Sequence, residues 1–196
     1  MPNRDIDTWW NPVGHMNRAQ SEFLSNELGK LNPGYCLETG TSTGRGSATI
    51  LCKSNPTKHV SIDLSLDGAE GCHADRDWIN RMVDAFDNFT HFEGDSRELL
   101  TVNFLTTQFP SGVDFFFCDG GHTYDVCYSD MSKVWPHIND NGVMIVDDYM
   151  SGPPDGYPIP AVTSAVGDFA TNIGLEIERW SNNGKGCAVF YKNKIA

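Results

Sequence analysis

The sequence lacks the features of several large classes of protein. No apolar run approaches the ~18 residues of a membrane span, and the polar residues 1–10 do not follow the pattern of a signal peptide. Positive charge is scarce, because 14 Lys and Arg face 26 Asp and Glu, which gives a formal net charge of −12. We therefore predict a protein that binds neither nucleic acid nor a membrane, and whose ligand is neutral or cationic.

Closely spaced cysteine pairs are also absent. The six cysteines form no C-x-x-C motif, and three of them fall in predicted strands. This favours buried thiols in a reducing compartment, so we predict a cytoplasmic location. No group of His and Cys has the spacing of a zinc site. The cysteines are Cys36, Cys52, Cys72, Cys118, Cys127 and Cys187.

Apolar runs of strand length alternate with helical patterns along the 196 residues, which suit one α/β domain over residues 1–196. The predicted fold is a doubly wound, Rossmann-like sheet of seven strands, mostly parallel, with a C-terminal antiparallel hairpin. Residues 149–160 are rich in proline and glycine and predict a loop. The predicted strands are residues 35–39, 59–62, 90–93, 113–118, 142–146, 175–180 and 187–192. The predicted helices are residues 17–31, 45–53, 75–86, 97–109, 123–138 and 161–173.

Two of the apolar runs end directly in acids. Asp119 follows residues 113–118, and Asp147 and Asp148 follow residues 142–146. The helical pattern between these runs predicts parallel, neighbouring strands with a right-handed crossover, so the acids would meet at the ligand-binding edge of the sheet. Three converging carboxylates repel one another unless a cation lies between them, which predicts a site for Mg²⁺ or another hard divalent cation. The alternative is a capped strand end that binds no metal.

A glycine-rich turn, from Gly40 to Gly44, follows the first predicted strand and opens a helix. Such a turn lets the backbone approach a ligand closely and offers N–H groups to a carboxylate or phosphate. Acids follow the neighbouring strands as well. Asp63 is placed to bind two ribose hydroxyls, Asp95 to accept from an adenine amine, and Glu38 to hold an ammonium group.

Together these motifs resemble the class I S-adenosylmethionine-dependent methyltransferases, and more narrowly their metal-dependent O-methyltransferase branch. The branch that methylates macrolide sugars, with its cephalosporin-biosynthesis relatives, is the most similar; caffeoyl-CoA and catechol methyltransferases are more distant. The resemblance covers residues 16–149. The motifs that carry it are Glu38-Thr-Gly-Thr-Ser-Thr-Gly44, Ser61-Ile-Asp63, Glu93-Gly-Asp-Ser96, Asp119-Gly-Gly-His122 and Asp147-Asp148-Tyr149.

The resemblance implies methyl transfer from S-adenosylmethionine to a hydroxyl of a small molecule, with a sugar as one candidate, and with Mg²⁺ as cofactor. It implies His122 as the general base, with Asp119 as the second catalytic candidate. With a cation bound, opposing effects should leave the pKa of His122 near the usual ~6.5. Residues 1–34 would form an N-terminal cap and residues 149–160 an acceptor loop. The implied cofactor-binding residues are Glu38, Gly40, Thr41, Ser42, Gly44, Asp63, Leu64, Asp95, Ser96 and Asp119, and the implied metal ligands are Asp119, Asp147 and Asp148.

Two other functions remain open at this point. An NAD-dependent oxidoreductase shares the strand, glycine turn and acid, although the Gly-x-Gly-x-x-Gly spacing is missing. A non-catalytic binding module could keep the cofactor pocket, although it would have no need of three acids. His122 could also be a packing residue at a helix start, and a homo-oligomer is compatible with everything above.

Overall fold

The computed structural model describes residues 2–67, 75–150, 159–182 and 184–193. The described strands form a seven-stranded sheet in the order β3-β2-β1-β4-β5-β7-β6. The strands are β1 Tyr35–Thr39, β2 Lys58–Asp63, β3 Phe89–Glu93, β4 Val113–Cys118, β5 Ile138–Val146, β6 Glu178–Asn182 and β7 Lys185–Tyr191. The helices are α1 Ile6–Trp9, α2 Arg18–Leu31, α3 Arg45–Ser54, α4 Arg76–Ala85, α5 Ser96–Leu99, α6 Val102–Gln108, α7 Tyr124–Val134 and α8 Pro160–Ile173, with a 3₁₀ turn at Trp135–His137.

The predicted fold is confirmed. Strands β1 to β5 pair in parallel, whereas β7 runs antiparallel to both β5 and β6. The crossover from β4 through α7 to β5 makes those strands neighbours, as the strand–helix–strand pattern predicted.

Helices cover both faces of the sheet because its central strands are apolar on both sides. In β4, Phe115 and Phe117 pack in one core with residues of α2 and α3, whereas Phe116 packs in a second core with residues of α6, α7 and α8. All three phenylalanines are buried. This two-sided burial explains why β4 reads as a continuous apolar run.

Several helix boundaries in the structure differ from those predicted. The helix predicted over residues 97–109 is two helices, because the Thr101 hydroxyl accepts from Phe104 N (3.1 Å) and so begins α6 anew. The helix predicted over residues 123–138 ends at Val134, since Pro136 lies in the 3₁₀ turn and cannot donate to an α-helical ladder. Tyr124, the first residue of α7, is exposed and donates to Asp168 (3.0 Å).

The ends of the chain differ from prediction as well. A short helix, α1, lies ahead of residue 17, where the first helix was predicted to begin, and Asp5 caps it by accepting from Asp7 N. In the C-terminal hairpin, Asn182 pairs with Lys185, so the strands extend into the turn predicted over residues 181–186. Among the described residues, no helix combines the length and the apolar character needed to cross a membrane.

Candidate active site

Hydrogen bonds between neighbouring strand ends assemble the site. Asp119 N donates to Thr39 O (2.8 Å), and Asp147 N donates to Cys118 O (2.9 Å). Gly40 N in turn donates to Ile62 O (2.8 Å). The parallel ladder thus continues one residue beyond β1 and β4, and it brings the glycine turn and the acids to one edge of the sheet.

Asp119, His122 and Asp148 converge at this edge. One potential ligand atom from each lies within 4.8 Å of the other two. His122 Nε2 is 2.9 Å from Asp148 Oδ2, and Asp148 is buried, whereas the His122 side chain is half-exposed. This is a ligand geometry that a divalent cation could occupy, with His122 in the place that prediction gave to Asp147.

The charges in this cluster perturb one another. Burial, then the charges of Asp147 and Asp148, raise the pKa of Asp119 well above its usual value. Burial is the largest effect on Asp148 and raises its pKa, but the hydrogen bond from His122, together with the neighbouring positive charges, outweighs burial and holds the pKa below its usual value. The same hydrogen bond raises the pKa of His122, against the effect of burial. The protein alone therefore favours a protonated His122 beside an ionised Asp148, and a bound cation would have to oppose that pairing.

Asp147 is held by other side chains. Gln20 Nε2 donates to both of its carboxylate oxygens (2.9 and 3.0 Å), and Cys187 Sγ lies 3.2 Å from Oδ1. Burial, followed by the charge of Asp148, raises the pKa of Asp147. A role for Asp147 as a metal ligand stays a prediction, and it would require these oxygens to be shared with the cation.

The glycine turn lies directly against the acid cluster. Gly40 has a φ of +87°, and a Cβ at this position would lie 1.8 Å from Asp119 O, so no other residue fits. Ser42 N donates to Asp63 Oδ2 (2.7 Å), which ties the turn to the end of β2. Thr41 is buried, and its hydroxyl contacts His91 Nδ1 at 3.4 Å.

Glu38 lies beneath the turn rather than at its surface. Its side chain is buried, it accepts a hydrogen bond from the Ser47 hydroxyl, and His59 Nε2 is 3.5 Å away. Gly46 makes room for it, because a Cβ there would lie 1.9 Å from Glu38 Oε1. The predicted contact with an ammonium group stays a prediction.

Asp95, which was predicted to accept from adenine, is already engaged with a neighbouring side chain. Asp95 caps α5 and pairs with Arg97 (Oδ2 to Nη2, 2.6 Å), and that hydrogen bond lowers the pKa of Asp95. Ser96 is the first residue of α5, and Leu64, next to Asp63, is 64% exposed. Their contacts with a cofactor stay predictions.

One cavity of about 350 Å³ joins the glycine turn to the acids. It includes most of the predicted cofactor-binding residues at the turn and all three predicted metal ligands, but not Glu38, Gly44, Leu64, Asp95 or Ser96. Sequence reasoning made no claim for His15, and it did not single out Thr43, Arg45, Ile159 or Lys185, all of which line this cavity. Thr43 lies within the glycine-rich turn and Arg45 directly after it, and the Asn-Gly pair before Lys185 places that residue at a hairpin strand, whereas no local motif marks His15 or Ile159. Most of the predicted acceptor loop, residues 151–158, lies outside the described residues.

The chain is similar to known proteins in sequence and in structure. A family model described as a methyltransferase domain matches residues 37–149. The uncharacterized protein R132 of Acanthamoeba polyphaga mimivirus is 27% identical over 157 residues, which cover 79% of this chain and 69% of that protein.

Two solved structures share the fold. A putative caffeoyl-CoA O-methyltransferase from Staphylococcus aureus superimposes with a TM-score of 0.70 at 13% identity, covering 97% of this chain and 93% of that one. The O-methyltransferase TomG from Streptomyces achromogenes, involved in tomaymycin synthesis and solved with S-adenosylmethionine, gives a TM-score of 0.69 at 16% identity, covering 92% and 83%.

Proposed function

The chain belongs to the methyltransferase-domain family, and from that membership we propose that it methylates a hydroxyl of a small molecule with the aid of a divalent cation. The methyl donor is S-adenosylmethionine. Because the chain belongs to this family, we reject the alternative of an NAD-dependent oxidoreductase. The observation that carries the proposal is the single cavity that joins the glycine turn and Asp63 to Asp119, His122 and Asp148.

The cofactor half of the cavity has the chemistry that S-adenosylmethionine requires. Among the residues that the structure describes, no side chain caps the N-terminus of α3, so its first N–H groups can bind the methionine carboxylate. Asp63, at the end of β2, lines the same cavity and can accept from the ribose hydroxyls. The close approach of Gly40 to the Asp119 carbonyl brings this half within reach of the acids.

The acid half fits a hard divalent cation. Asp119 and Asp148 supply oxygen ligands of the kind that Mg²⁺ and Mn²⁺ prefer. Burial, and after it the charges of Asp147 and Asp148, raise the pKa of Asp119, and a bound cation would offset both effects. When bound, a divalent cation lowers the pKa of an acceptor hydroxyl and fixes its direction.

The residues of this chain then align the two reactants and remove the proton of the acceptor hydroxyl. The acceptor oxygen attacks the sulfonium methyl carbon in line, the new C–O bond forms as the S–CH₃ bond breaks, and S-adenosylhomocysteine leaves. His122 takes the hydroxyl proton. In the neutral imidazole that a bound cation would favour, the Nε2–H donated to Asp148 leaves Nδ1 as the nitrogen that can accept.

Cofactor binding and cation dependence can be tested separately. Calorimetry should show S-adenosylmethionine binding that survives chelator. Release of S-adenosylhomocysteine, followed over a panel of sugar, catechol and acyl-CoA acceptors, should require Mg²⁺ or Mn²⁺ and stop with chelator. Full turnover in excess chelator would reject the cation.

Two variants locate the cation and the base. Asp148→Asn should weaken Mn²⁺ binding, measured by electron paramagnetic resonance, whereas Asp125→Asn, an exposed change on α7, should not. His122→Ala should lower kcat by about 10²–10⁴ without changing Mn²⁺ affinity if His122 is the base. A matching loss of Mn²⁺ affinity would make His122 a ligand instead.

A further inference from the structure

Arg45, the first residue of α3, binds a segment that is distant in sequence. We call residues 11–16, between α1 and α2, the N-terminal strap. The Arg45 guanidinium donates to four strap carbonyls and lies over the Trp10 ring, 4.7 Å from its centroid. The acceptors are the carbonyl oxygens of Asn11 (2.8 Å), Pro12 (2.9 Å), Gly14 (2.7 Å) and Met16 (2.6 Å).

The strap also packs closely on the glycine turn. Gly14 has a φ of +146°, and a Cβ at this position would lie 2.3 Å from Thr43 Oγ1 and 3.1 Å from Arg45 Cδ. At the other end of the strap, Asn11 Nδ2 donates to Asp75 Oδ2 (2.9 Å), the residue that caps α4. These contacts fix the position of the strap on the domain, and Arg45 lies at their centre.

In this position, residues of the strap line the cavity of the proposed active site. His15 and Met16 line it together with Gly40, Asp63 and Asp119. The same cavity is lined by Asp147 and Asp148, so His15 and Met16 also face the acid cluster. The strap is thus one wall of the cavity, and it meets both the cofactor half and the acid half.

We propose that Arg45 is a positioning residue that holds the N-terminal strap as a wall of the S-adenosylmethionine site. This inference rests on the proposed function, since it takes the cavity to be the cofactor site. The planar guanidinium of Arg45 donates to four carbonyl oxygens at once. A lysine ammonium has only three donors and could not do the same. Without Arg45 the strap has to be ordered again each time the cofactor binds, and that cost weakens binding.

The test compares Arg45→Met, Arg45→Lys and Gly14→Ala with Arg18→Met. Arg18 is the matched control because it also stacks on Trp10 (4.1 Å) and carries the same charge, but its ion pair is with the exposed Asp7. Amide hydrogen exchange over residues 11–16 and over β4 is measured without ligand. Calorimetry then measures the affinity for S-adenosylhomocysteine.

We expect Arg45→Met to speed strap exchange and to weaken S-adenosylhomocysteine binding, each by at least about tenfold, with exchange in β4 unchanged. Arg45→Lys should restore part of both, and Gly14→Ala should reproduce both while Arg45 is intact. Arg18→Met should match the wild type.

The outcomes separate this inference from the proposed function. A wild-type protein that does not bind S-adenosylhomocysteine would overturn the proposed function, whatever the strap does. Unchanged strap exchange in Arg45→Met and Gly14→Ala would overturn only the role of Arg45. Faster strap exchange with unchanged affinity would show that the strap is not a wall of the cofactor site, and it would also overturn the inference.

Discussion

Asp130 is a buried charge that the proposed chemistry does not use, and it should give the stability of this protein a measurable pH dependence. Its side chain is fully buried on α7, and neither carboxylate oxygen has a hydrogen-bond partner among the described residues. Burial raises the pKa of Asp130 from its usual 3.8 to about 6, although the hydroxyls of Ser96 and Thr39, which form no hydrogen bond of normal geometry with it, act in the opposite direction.

The size and sign of the effect follow from this difference in pKa. An acid whose pKa is higher in the folded state binds more protons when folded, so stability falls as the pH rises from about 4 to about 6. At about 1.36 kcal/mol per pH unit, the rise from 3.8 to about 6 costs the wild type about 3 kcal/mol above pH 7. Asp130→Asn removes the titrating group, and its stability relative to the wild type should rise by about 1.5 kcal/mol between pH 5 and pH 8.

Urea denaturation of both proteins at pH 5, 6, 7 and 8, in chelator, measures this relative stability. Asp125→Asn is the control, because Asp125 is exposed on the same helix and its relative stability should not follow the pH curve of Asp130→Asn. A relative stability of Asp130→Asn that does not change with pH would refute the reasoning. It would mean that the carboxylate is solvated, for instance by a water in the adjoining cavity of about 10 Å³.

Three other predictions concern the site itself. Asp63→Ala should weaken S-adenosylmethionine binding by about 1.5–3 kcal/mol in calorimetry, and unchanged affinity in a folded variant would remove Asp63 from the site. Gln20→Ala should destabilise the fold by about 1–3 kcal/mol in urea denaturation, because it removes the donor to both oxygens of the buried Asp147; a loss below about 0.5 kcal/mol would contradict this. The raised pKa of His122 means that its stabilising bond to Asp148 is fully present below about pH 6.5 and is lost as the pH rises through the raised value. In chelator, His122→Ala should therefore destabilise the protein more at pH 6 than at pH 9, and an equal loss at both would show that the pair does not titrate.

The fold could be predicted because its signals are local. Runs such as residues 113–118 and 142–146 carry the length and apolar character of buried strands, and the acids that follow them have to lie at the carboxyl edge of a parallel sheet. Order and direction of the strands then follow from short, right-handed connections. Boundaries could not be predicted where one side chain decides them, as at Thr101, whose hydroxyl begins a new helix inside a continuous helical pattern.

The partners within the site depend on contacts between residues that are far apart in the chain. Gln20 reaches Asp147 across 127 positions, and Arg45 reaches Gly14 across 31. Neither pairing leaves a periodic or spaced pattern in the sequence, because hydrogen bonds of this kind depend on where folded elements meet and on which rotamers fit there. The sequence by itself determined which acids share the edge of the sheet. Only the tertiary structure decided that His122 pairs with Asp148 while Gln20 and Cys187 hold Asp147, since that choice depends on burial and distance.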